Sequence, residues 1–255
     1  MTRPHRWAAR GAVLCALAAL LVGCAANRDH GDGGTRAPEV QAFGALRAIF
    51  HRGQTGAAVG LDKLLPNPNL YAVGALSGLA GEVTVVGGRV FLAHPTGNDT
   101  ARTDELERSD AAATLLVAAA VRSWREVVVK RAIRFAELDR EIARLAAGAG
   151  LRTDQRIPFL IEGAFDDLHW HVIDGRRLRA GGSSHEDHLA AAVRQQRKRA
   201  TATLIGFYSA HDQGVFTHMG SRTHVHCVVR KPLASGHVDH VDIPAGATIR
   251  FPIGP

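Results

Sequence analysis

The run Thr223-His-Val-His-Cys-Val-Val-Arg-Lys-Pro-Leu-Ala-Ser-Gly-His237 decides how this chain is read. Along a β-strand, residues i and i+2 face the same way, so His224 and His226 project side by side. A third imidazole, His237, follows eleven residues later on the next strand. Three imidazole nitrogens converging in this way can close a site of the kind that holds a catalytic zinc ion with one coordination position left open, although chance alone can place two histidines two apart in a chain with 14 of them. Val225 and Cys227 alternate with the histidines and face the other side, which makes Cys227 a small buried apolar residue, neither ligand nor nucleophile.

The segments on either side carry mostly β patterns. Thr203 to Ser209, Val215 to His218, Thr223 to Val229, His237 to Ile243 and Ala247 to Phe251 read as strands. Ile157 to Phe165 and Leu168 to Ile173 read likewise, with Asp174-Gly175 as the turn that follows. Glu82 to Val86 and Arg89 to Ala93 flank Gly87-Gly88, a hairpin signal because tight two-residue turns need positive φ. Ala111 to Val121 is continuously apolar, and its pattern fits a buried strand or a buried helix equally. Asp99 to Asp110 is polar and predicts a loop or an exposed helix start.

Helical spacing predicts helices over Val40 to His51 and over Phe135 to Leu145, the second stopped by Gly148 and Gly150. A third is predicted from about Ser184 to Ala200, with Ser183 or Ser184 as N-cap. No internal repeat is present. The fold class is α+β, mixed, with mainly antiparallel sheets and a few helices.

The 255 residues carry a formal net charge of +7. Arg3, Arg6 and Arg10 precede an apolar stretch, Gly11 to Ala26, that is shorter than the roughly 20 residues needed to span a bilayer. Residues 1–23 therefore read as a signal peptide. Leu21-Val22-Gly23-Cys24 resembles a bacterial lipobox, which makes Cys24 the lipidated first residue of a protein held in the bacterial cell envelope. Membrane contact is expected through that lipid only. Residues 24–38 read as a flexible tether and 39–255 as one domain.

Loss of the three signal arginines leaves 28 basic and 24 acidic residues. This modest surplus, with few aromatic residues near the basic patch Arg194-Gln-Gln-Arg197-Lys198-Arg199, reads as a solvated helix face and not as a nucleic-acid surface. Cys15 leaves with the signal, so Cys227 stands alone and no disulfide framework exists.

A wider pattern surrounds the histidines. Gly206-Phe207-Tyr208, Gly220, the His224/His226 pair and Gly236-His237-Val238 resemble the C-terminal metal-site segment of the α-acetolactate decarboxylase family. The run from Gly78 to Phe91 resembles that family's Gly-Glu hairpin, Val40 to Leu46 its opening segment, and Glu162 to Phe165 its central strand. The likeness covers about residues 40 to 251, in order, and marks the chain as a divergent, lipoprotein-type member.

The resemblance implies that His224, His226 and His237 bind Zn2+ and that Glu82 is an acidic metal contact or proton-transfer residue. The activity it implies is decarboxylation of 2-acetolactate, or a related small 2-hydroxy-3-keto acid, to acetoin and CO2. Zinc would act as a Lewis acid on the substrate oxygens, and an acid would deliver a proton. The sequence also departs from the family. Where the family has an Arg that positions the substrate carboxylate, this chain has Leu168-His169-Trp170-His171, which makes His171 the expected catalytic residue at that place. His169, Arg176 and Arg222 are the other groups that would preserve a substrate clamp in altered form if they point at the metal. A neutral imidazole cannot form the bidentate clamp of a guanidinium. The family's C-terminal acidic residue has no counterpart either, since no Glu follows Glu186. An altered zinc-binding lipoprotein that holds a small ligand is the alternative expectation, and a homodimer is compatible with both.

Overall fold

The computed structural model describes residues 1–2, 34–178 and 184–254. The expected signal segment, Cys24, most of the tether and Ser183 lie outside the described residues. Asp32–Pro255 form one unit. The chain is engaged in it from Thr35, whose backbone bonds to Gly150 and Arg152, and Ala37 is buried in the core.

In chain order the elements are β1 (Val40–Phe43), α1 (Leu46–Arg52), β2 (Val59–Gly60), β3 (Leu70–Leu76), β4 (Glu82–Val86), β5 (Arg89–Gly97), β6 (Thr100–Leu106), β7 (Ala112–Ala120) and β8 (Trp124–Val128). They continue with α2 (Leu138–Gly148), β9 (Ile157–Val172), α3 (His185–Ala191), β10 (Val193–Tyr208), β11 (Thr223–Arg230), β12 (Leu233–Val241) and β13 (Thr248–Pro252). One sheet has the order β1-β7-β3-β4-β5-β6, with β2 also on β7, and the other has the order β10-β11-β12-β9-β13-β8. The additional pairing of β9 with β10 closes β9, β10, β11 and β12 into a ring. All strand pairings in both sheets are antiparallel. This is the mixed, mainly antiparallel architecture that the alternation of apolar residues predicts.

Alternation along β11 sets the location of the site. Val225, Cys227 and Val229 enter a core shared with Leu138, Ile142 and Ala146 of α2. Val228, on the opposite face with His224 and His226, packs in a second core that joins Val73, Leu115 and Val117 of the first sheet to Leu160, Ile205 and Phe207 of the second. The histidine pair thus points into the layer between the sheets. Burial there contributes about 25 cal/mol per Å² of apolar surface removed from water.

Several elements differ from the sequence expectation. Val40–Phe43 is a strand, and the helix begins only at Leu46. Between them Gly44 has φ 76°, at a place where a Cβ would stand 2.0 Å from the Thr114 carbonyl oxygen. The apolar run Ala111 to Val121 is the strand β7, apolar throughout because Leu115 and Val117 face one core while Leu116 and Ala118 face a third, behind the first sheet. Thr100–Leu106 is an edge strand and not a loop, joined to β5 by Asn98 and Asp99 at φ 50° and 54°. Ile157–Val172 is one continuous strand.

The third helix stops at Ala191, and the basic patch lies on β10, paired with β9 from Val193 to Tyr208. Cross-strand pairing along two long strands overrides the helical look of that sequence. Val215 to His218 is a turn, in which the Asp212 carbonyl accepts from the N–H groups of Val215, Phe216 and Thr217. β3 and β8 have no counterpart among the expected strands.

Candidate metal centre

Strand register assembles the centre. His226 on β11 pairs directly with His237 on β12, and His237 pairs directly with His171 on β9. Directly paired residues share a face, so the three rings form a row across neighbouring strands, with His224 two residues along β11. Ring centroids lie 4.8 Å apart for His171 and His237, and 4.8 Å apart for His224 and His237. One nitrogen from each of His224, His226 and His237 lies within 4.8 Å of the others, close enough for all three to hold one metal ion.

Burial keeps these rings neutral. His224 is pushed down to about 3 by loss of water, helped by the charge of His218, while His226 and His237 fall well below the ordinary imidazole value for the same first reason. Neutral imidazoles offer the lone pairs that a metal ion needs. His226 Nδ1 lies 2.9 Å from the Thr84 hydroxyl, and the Nε2 atoms of His224 and His226 are 3.2 Å apart. His224 Nδ1 makes no hydrogen bond of good geometry, although the Phe216 backbone slightly favours its protonated form.

Glu82 begins β4, on the facing sheet. Gly81 precedes it with φ 138°, and a Cβ there would stand 2.1 Å from the Ala93 carbonyl oxygen, so the chain enters the strand through glycine. Glu82 Oε1 accepts from the Ile173 N–H at 3.2 Å, and Oε2 is 3.8 Å from His226 Nε2. Burial raises its pKa to about 7, against opposing contributions from His171 and the Ile173 N–H.

His171 donates from Nδ1 to Asp239 Oδ1 at 2.7 Å. Its burial would lower its pKa, but the hydrogen bond and charge of Asp239, with the charge of Glu82, raise it overall. Asp239 sits at the register shift between Val238 and His240, a β-bulge that re-aims its side chain.

The other candidates for the carboxylate position lie elsewhere. His169 pairs with Asp167, Arg176 binds Asp174 and the Pro95 carbonyl, and Arg222 is not among the residues that line the cavity. Three histidines without an assigned role in the sequence reading do line it: His185, His188 and His218. His188 is buried against Phe50, at 4.6 Å between centroids, and His218 is pushed down to about 4 mainly by burial. The i, i+3 spacing of His185 and His188 on α3 was their one sequence signal.

The cavity of about 60 Å³ exceeds the roughly 10–15 Å³ that one water requires on that measure. Leu46, Ile49, Leu79, Leu115 and Ile173 form its apolar side, and among the described residues no lysine or arginine lines it.

No curated protein matches the chain at the level of sequence. Among solved structures, a Staphylococcus aureus protein of unknown function, similar to α-acetolactate decarboxylase, superposes with a TM-score of 0.64 at 15% identity, covering 83% of this chain and 84% of its own. The α-acetolactate decarboxylase of Bacillus subtilis strain 168 gives 0.63 at 12% identity, covering 84% and 86%. At those identities the likeness is one of fold. The profile of the α-acetolactate decarboxylases matches residues 49–253, a span that holds Glu82 and every histidine of the cavity. By that match, over most of its length, the chain belongs to the α-acetolactate decarboxylase family.

Proposed function

We propose that this protein is a zinc-dependent carboxy-lyase that converts 2-acetolactate, or a related 2-hydroxy-3-keto acid, to acetoin and CO2. The observation that carries the reading is the convergence of three imidazoles held neutral and one carboxyl group raised to about 7 by burial at one site. Two nitrogens each bound at about 2.0–2.1 Å to one tetrahedral zinc stand about 3.3 Å apart. The Nε2 atoms of His224 and His226 are separated by 3.2 Å. A bound zinc ion would supply Lewis-acid stabilisation of negative charge on the substrate oxygens.

The remaining chemistry falls to the protein. The bond between the carboxylate and its neighbouring carbon breaks, CO2 leaves, and the electron pair stays on the substrate. Protonated Glu82 delivers its proton to that carbon, becomes a carboxylate and is reprotonated from solvent. In the metal-free protein burial holds this carboxyl protonated up to about 7, which keeps a transferable proton at the site. His171, whose Nδ1 proton goes to Asp239, takes the place of the family's arginine, and in its protonated form donates from Nε2 to the substrate carboxylate.

The absence of a guanidinium from the described lining favours a second reading, a zinc-binding lipoprotein that holds a small ligand without decarboxylating it. Metal analysis of the purified protein, paired with an acetoin assay on racemic acetolactate, separates the two. Zinc with acetoin supports the first reading, and zinc without acetoin leaves the second. We further propose that the protein is lipidated at Cys24 and resides in the cell envelope, which loss of detergent-phase partitioning in Cys24→Ala would support.

A further inference from the structure

Three strands each bring an alternating pair of polar side chains to the centre. β4 supplies Glu82 and Thr84, β11 supplies His224 and His226, and β12 supplies Ser235 and His237. Thr84 and Ser235 have no part in the ligand set or in proton transfer, yet both are fully buried, at 0% and 1% exposure. A buried hydroxyl without a partner costs about 1–3 kcal/mol. Here the two are bonded to each other and to the site. Ser235 Oγ donates to Thr84 Oγ1 at 2.9 Å, and Thr84 Oγ1 lies 2.9 Å from His226 Nδ1. Thr84 belongs to the first sheet, whereas Ser235 and His226 belong to the second, so this chain of bonds crosses the layer between them.

We propose that Thr84 and Ser235 are positioning residues that hold His226 in the tautomer and orientation able to bind a metal ion. His226 presents Nε2 to the centre, where it meets His224 Nε2. A ligating nitrogen must carry a lone pair, so the ring proton has to sit on Nδ1. A hydroxyl oxygen has two acceptor lone pairs. Thr84 Oγ1 takes the Ser235 proton on one and the His226 Nδ1 proton on the other, which fixes the ring in a cavity where valine would fit equally well by shape. The inference rests on the reading of the histidine triad as a metal site and is independent of the substrate.

The test is the zinc affinity of the full chain, measured by competition with a chromophoric chelator, with the visible spectrum of the Co2+ form as a readout of ligand geometry. Thr84→Val should weaken zinc binding about tenfold or more, Thr84→Ser should stay within about threefold of wild type, and Ser235→Ala should fall between them. The cobalt spectrum of Thr84→Val should change as well. Wild-type affinity in Thr84→Val overturns the proposal. So does a Thr84→Ser variant as weak as Thr84→Val, since the methyl packing would then matter and not the hydroxyl. Should Thr84→Val fail to fold, Ser235→Ala decides: wild-type affinity with an unchanged cobalt spectrum overturns the proposal. A wild-type protein that binds no zinc removes the metal-site reading itself, and the proposal with it.

Discussion

His171 Nδ1 donates to Asp239 Oδ1 at 2.7 Å across two neighbouring strands, and a β-bulge in β12 brings the carboxylate there. The ring nitrogen that bonds to Asp239 is fixed, so the other nitrogen, Nε2, remains for the cavity that His171 lines. Asp239 thereby leaves Nε2 as the nitrogen of His171 open to a ligand.

Asp239→Asn keeps an acceptor but removes the charge, so burial should dominate and the His171 pKa should drop from above the ordinary imidazole value to below it. An NMR titration of the ring checks this. Because the folded-state pKa is raised, the pair contributes stability in full below the unfolded value near 6.5 and loses it as pH rises through the folded value. The variant should therefore be destabilised more at pH 5 than at pH 9 in urea unfolding. An equal loss at both would show that the charge of Asp239 is not what raises His171.

Glu82→Gln separates catalysis from stability. It retains shape and the bond from Ile173 but cannot transfer a proton, so acetoin formation should fall by about 10²–10⁴ with zinc still bound. Activity of the wild type should decline as pH rises through the value at which Glu82 loses its proton, which a bound Zn2+ beside it would bring below the metal-free value of about 7. In the metal-free protein the substitution acts on stability in the other direction. Folding holds a proton that the unfolded chain releases from about 4.5 upward, so ionisation of Glu82 opposes folding progressively between 4.5 and about 7. Metal-free Glu82→Gln should match wild type near pH 4 and exceed it at pH 8 by up to about 3 kcal/mol.

Much of this centre was legible because it is written in strand alternation: His224-X-His226, the Gly87-Gly88 hairpin that carries Glu82, and Gly236-His237. The α2 helix was legible from its own period. His218 was not, because it lies on a turn wound about the Asp212 carbonyl, which has no periodic signal. His185 and His188 sit in a polar stretch typical of exposed histidine, and only the packing of α3 against Phe50 brings them inward. The basic residues of β10 carry no local mark of a strand, and their pairing with β9 is decided by residues more than twenty positions away. Register across distant strands also hid the alignment of His171 with His237.

On the proposed metal-site reading, the depressed pKa values of the three histidines set the acid limit of zinc binding. Three ordinary imidazoles would lose about a thousandfold in zinc affinity at pH 5.5 through proton competition. With His224 near 3 and His226 and His237 well below the ordinary value, the loss between pH 7.5 and 5.5 should stay under about a hundredfold. Competition titrations at the two pH values measure it, and a full thousandfold loss would mean that the rings are solvated in solution.

Gly236 tests the register itself. β12 lies so close to β9 at this point that a Cβ on Gly236 would stand 2.4 Å from the His171 carbonyl oxygen and 2.7 Å from the Trp170 ring. Backbone cannot yield as a flexible side chain does, so Gly236→Ala must push the two strands apart beside the His237 and His171 pair. The expected outcome is a loss of about 1–3 kcal/mol in urea unfolding, together with weaker zinc binding, because His237 moves away from His224 and His226. A stability loss with unchanged zinc affinity would show that β12 follows β11 and not β9, and that His171 alone is displaced. The cobalt spectrum, which responds to ligand geometry, distinguishes these outcomes even where affinity changes little.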